Sequence, residues 1–79
     1  MTPYETAVLI ATNRVVRYLR TPGARRPSNA REWRALVAEV ADETMGAETD
    51  ALLDAVSYKA ARWTRFVGAV RRAATNRLN

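Results

Sequence analysis

Residues that could carry out chemistry are sparse in this sequence. Its 79 residues include no histidine and no cysteine. The commonest general base and the best thiol nucleophile are therefore missing, and so are the usual zinc ligands. Ser57, Tyr58 and Lys59 are adjacent, but successive residues of a helix point in different directions and cannot form a nucleophile–base pair. Glu39, Asp42 and Glu43 fall on the polar side of a helical pattern, where carboxylates serve solubility. The three glycines stand apart, so no phosphate-cradling loop is formed. We expect no enzymatic activity, no cofactor, no metal and no small-molecule substrate.

What remains is arginine. Thirteen basic and eight acidic residues give a net charge of +5, and twelve of the thirteen are arginines. Residues 14–34 carry a local +6, residues 39–54 a local −6 and residues 59–77 again +6. On folding, the acidic middle can neutralise the basic flanks. Alternatively, the excess basic surface meets an anionic partner. Two groups of arginines suit phosphate contact. Arg62, Arg65 and Arg72, with Tyr58 alongside, line one face of a C-terminal helix, where cations beside an aromatic suit backbone contact plus stacking. Arg25 and Arg26 sit on a loop, from which they can reach phosphates without disturbing packing.

The elements that position these residues are helices. Thr2-Pro3-Tyr4-Glu5 combines a capping threonine, a proline suited to the first helical position and a capping-box glutamate. Helix 1 is expected over about 3–20, with Tyr4, Val8, Ala11, Val15, Tyr18 and Leu19 on one side, widened by Leu9 and Val16. Ile10 falls among arginines on the opposite, wet side. Pro22, Gly23 and Pro27 make residues 21–28 a loop. Asn29 and Glu32 repeat the start signal for helix 2, expected over about 30–45 with Trp33, Leu36, Val37, Val40, Ala41 and Met45 inward. Gly46 stops it. Helix 3, capped near Thr49, is expected over about 48–77.

The short link at Gly46 implies a hairpin of helices 2 and 3, crossed by helix 1. The expected fold is all-α: one domain over 1–79, a three-helix bundle formed by a helix-loop-helix hairpin plus the N-terminal helix, with a long C-terminal helix. Unbroken, helix 3 is about 40 Å long against about 25 Å for the others. Its last turns then overhang, with Val67, Val70 and Ala74 continuing the apolar stripe past Gly68. An exposed stripe finds a partner.

The hairpin has a helix-turn-helix pattern, but Glu48, Asp50 and Asp54 at the start of its second helix would repel a duplex. The longest apolar run, Ala7–Ala11, is far short of the about 20 residues of a membrane span. No signal peptide is visible. Trp63 and Phe66 are assigned to the core rather than to a membrane surface. A cytoplasmic location is expected.

The functional expectation is a non-enzymatic, basic helical binding protein. It acts on a host component, or on a second copy of itself, through Tyr58, Arg62, Arg65, Phe66, Val67, Val70, Arg71 and Arg72 of the C-terminal helix. Small size and absent catalytic residues are typical of phage or mobile-element regulators of this kind. The alternative is sequence-nonspecific nucleic-acid binding through the helix 3 arginines, with Arg25 and Arg26 as further phosphate contacts.

Overall fold

A computed structural model describes residues 2–43 and 60–79. These are all-α: three helices and no strand among the described residues. Helix α1 spans Pro3–Leu19, α2 spans Ala30–Glu43 and α3 spans Ala60–Leu78.

Local chemistry accounts for the helix starts. At α1 the Glu5 N–H donates to Thr2 Oγ1 at 3.1 Å, and the Thr2 N–H donates back to Glu5 Oε1 at 3.2 Å. This is the capping box expected from the sequence. At α2 the Glu32 N–H donates to Asn29 Oδ1 at 2.9 Å. The Glu32 carboxylate does not return to Asn29. It accepts instead from the Ser28 N–H at 3.2 Å and from the Ser28 hydroxyl. The return bond is shifted one residue outward, to Ser28, whose backbone N–H and hydroxyl both donate to the carboxylate. Between the two helices Gly23 has φ of +84°, a conformation that favours glycine.

Each helix contributes four buried apolar residues to one core. They are Ala7, Ala11, Val15 and Val16 from α1, Trp33, Leu36, Val37 and Val40 from α2, and Phe66, Val67, Val70 and Ala74 from α3. Tyr4, Val8, Leu19, Trp63 and Leu78 pack around its edge. Thr12 is also buried, and its hydroxyl has no hydrogen-bond partner among the described residues.

Side-chain pairings fix the helix directions. Tyr4 meets Phe66 edge-on at 6.3 Å near the start of α1 and α3, while Arg77 bonds Asn13 and Arg20 near their ends. Thus α1 and α3 run parallel. Tyr18 faces Glu32 and Leu36 across one hollow and Arg14 faces Val40 across another, so α2 runs antiparallel to α1.

Two expectations are corrected here. The apolar stripe at Phe66, Val67, Val70 and Ala74 is not an uncovered overhang. α3 passes through Gly68 without a break and lies alongside α1, its 19 residues spanning about 28 Å. The stripe is covered by α1 and α2. On α1, Tyr18 and Leu9 are 46% and 45% exposed rather than core, and Ile10 is half-buried rather than wet. The Gly46 hairpin, the Thr49 cap and the first turns expected of helix 3, including Leu52, Val56 and Tyr58, lie outside the described residues.

Candidate functional site

The residues singled out on α3 separate into an inner and an outer set. Phe66, Val67 and Val70 are buried and cannot meet a partner without opening the fold. Arg62, Arg65 and Arg72 are exposed and share one side of the helix. Arg65 sits 5.9 Å from the centroid of the Tyr4 ring, a cation–π arrangement that fastens α3 to α1. Arg71 leaves on another side and lies 5.8 Å from the Trp33 ring, covering the outer face of that core residue. Tyr58 lies outside the described residues. Arg62, Arg65 and Arg72 thus form an exposed basic row, of which Arg65 is held against Tyr4.

A concave site is found elsewhere, between α1 and α2. Two hollows of about 290 and 220 Å3 share Tyr18, Leu36 and Glu39 in their walls. Arg25 and Arg26 complete the first from the 21–28 loop, and Arg14 and Arg17 complete the second from α1. Arg14, Arg17 and Tyr18 are placed at spacings of three and four residues, which puts them on neighbouring lines of one helix face. The loop turns at Gly23 and brings Arg25 and Arg26 back along the end of that face. Tyr18 is thus a wall residue common to the hollow of Arg14 and Arg17 and to that of Arg25 and Arg26.

None of these four arginines pairs with a carboxylate among the described residues. Arg26 makes only a long 3.5 Å contact with the Asn79 side-chain amide oxygen. On the opposite wall, Glu32 is occupied by Ser28, whereas Glu39 has no partner among the described residues. Tyr18 differs from Tyr4 in the same way. The Tyr4 ring contacts Phe66 and Arg65, but the Tyr18 ring has no aromatic or cation–π neighbour among the described residues.

Other arginines serve the fold. Arg20 Nη2 donates to the Arg77 carbonyl at 3.3 Å, satisfying an orphan acceptor in the last turn of α3. Arg77 donates to Asn13 Oδ1, and Arg34 Nη1 donates to Thr64 Oγ1 at 3.1 Å. These contacts tie α3 to both of its neighbours.

Arg25 and Arg26 were predicted as phosphate contacts, and the structure places them with Arg14 and Arg17 rather than with the α3 row. Tyr18 was missed as a surface residue. Its helical position lies on the apolar side, so only its place in the last turn, beside a proline- and glycine-containing loop, signalled that cover could end there. Among the described residues no group of three or more acidic side chains gathers as a metal site. No described helix is long and apolar enough to cross a membrane. Comparison with protein-family models, curated proteins and solved structures gives no match.

Proposed function

We propose that this chain is a non-enzymatic three-helix-bundle protein that binds nucleic acid through the arginines of the α1–α2 groove. One observation carries this reading: Arg14 and Arg17 line one hollow and Arg25 and Arg26 another, the two share Tyr18, Leu36 and Glu39, and none of the four has a carboxylate partner among the described residues. Unpaired guanidiniums are strongly attracted to phosphate and match its geometry bidentately. Arg62, Arg65 and Arg72 add a peripheral basic row. Phosphate contacts carry no sequence information, so the binding is sequence-tolerant. A cytoplasmic site of action goes with this reading.

The test compares two multiple variants in a gel-shift assay at about 50 mM salt, where phosphate contacts are weakly screened. Arg14→Gln, Arg17→Gln, Arg25→Gln and Arg26→Gln together should abolish the shift. Arg62→Gln, Arg65→Gln and Arg72→Gln together should weaken it modestly. Equal binding by wild type and the groove variant would refute the proposal.

A protein-docking reading retains one specific foothold. Trp33, Val67, Gly68 and Arg71 line a mainly apolar slot of about 160 Å3 between α2 and α3. It is much smaller than the stripe expected from the sequence. Docking there predicts that a bulky Gly68→Leu substitution blocks partner capture and leaves nucleic-acid binding unchanged.

A further inference from the structure

We infer that the groove accepts an unpaired base against Tyr18, so that the ligand is single-stranded rather than duplex nucleic acid. This rests on the nucleic-acid reading above and adds the strand class to it. Three observations lead to it.

Tyr18 is 46% exposed yet lines both hollows, and it is the one wall residue shared by both arginine pairs that offers an aromatic face. Base–aromatic stacking requires a face that is free on both partners. A duplex hides its base faces within the stack, whereas a single strand can splay a base outward.

The dimensions agree. Hollows of about 290 and 220 Å3 fall at or below the lower limit of about 300 Å3 for small-molecule pockets. They have room for a flat group the size of a base.

The charge distribution orients the strand. Arg14 and Arg17 lie on one side of Tyr18 along α1, and Arg25 and Arg26 lie past its end on the loop. Glu32 and Glu39 occupy the α2 wall. Carboxylates turn phosphates away from that wall and can accept hydrogen bonds from base amino groups. The backbone therefore follows the arginines, with the base turned inward between Tyr18 and α2.

Fluorescence anisotropy of the full chain tests this. The probes are a labelled oligodeoxyadenylate of about a dozen nucleotides, which matches a single-domain site size, and a duplex of the same length. The single strand should bind more tightly than the duplex. Tyr18→Ala should weaken single-strand binding about ten-fold or more, leave the duplex unchanged and leave the salt dependence unchanged, because stacking releases no counterions. Tyr18→Phe should retain wild-type affinity. Thermal melts establish that each variant is folded. If Tyr18→Ala does not fold, comparison of Tyr18→Leu with Tyr18→Phe decides the same point.

Equal affinity for both probes, with Tyr18→Ala like wild type on each, overturns the stacking inference and leaves the arginine groove standing. Failure of wild type to bind either probe at about 50 mM salt removes both readings.

Discussion

Phe66 is the residue at which the core and docking interpretations of α3 diverge most sharply. Its side chain is fully buried, stacked on Trp63 at 5.8 Å and edge-on to Tyr4 at 6.3 Å. Truncation to alanine removes a ring from a closed core, which typically costs about 3–5 kcal/mol. Each aromatic pairing adds about 0.5–1.5 kcal/mol beyond area burial. At roughly 0.05–0.15 kcal/mol per residue, a chain of 79 residues has on the order of 4–12 kcal/mol of total stability. Phe66→Ala therefore consumes a third or more of it. Urea unfolding followed by circular dichroism is the assay. With a small-domain slope of about 1 kcal/mol/M, the midpoint should fall by about 3 M, or no folded baseline should remain. Phe66→Leu, which keeps most of the volume, should cost about 1 kcal/mol. A surface docking residue would instead change stability by about 0.5 kcal/mol or less. A Phe66→Ala midpoint within that range would refute the core assignment and restore α3 as an exposed face.

Two further outcomes follow from the same geometry. Four groove arginines on a single strand imply a slope of log K against log salt near −2.8, or about a 50-fold loss between about 50 and 200 mM. Arg14→Gln with Arg17→Gln should halve the slope, reducing the loss to about 7-fold by titration, and an unaltered slope would remove these two residues from the contact. Thr12→Val replaces a buried, unpartnered hydroxyl by a methyl of similar shape. It should raise stability by about 1 kcal/mol in the same urea assay, and a loss of stability would show that the hydroxyl is satisfied after all.

Much of the fold was legible because its signals are local. The capping box at Thr2 and Glu5, the prolines and glycine of the 21–28 loop and the inward set Trp33, Leu36, Val37 and Val40 each depend on neighbours a few residues apart. Helical periodicity also identified the buried face of α3 correctly. It could not say whether that face was covered, because cover depends on which helices lie beside it and in which direction. The parallel pairing of α1 with α3 joins residues about sixty positions apart, and nothing local encodes it. The groove was hidden for the same reason. Arg14 and Arg17 were read with Ile10, while Arg25 and Arg26 were read with α3, since only the turn at Gly23 brings the two pairs together. Tyr18 was misassigned because a helical wheel gives direction around the axis and not distance along it. In the last turn of α1 Leu19 still packs against the core, whereas Tyr18 has passed beyond its cover.

The parallel course of α1 and α3 has an electrostatic consequence. Both helices present their carbonyl ends at the same end of the molecule, each equivalent to roughly half a negative charge. Arg20 donates to the Arg77 carbonyl, so part of the charge there is compensated internally. α2 runs the other way and brings its positive N–H end to the same end, next to Arg25, Arg26 and the groove. On the nucleic-acid reading, the positive N-terminal end of α2 would add to Arg25 and Arg26 in attracting phosphate at that end of the groove.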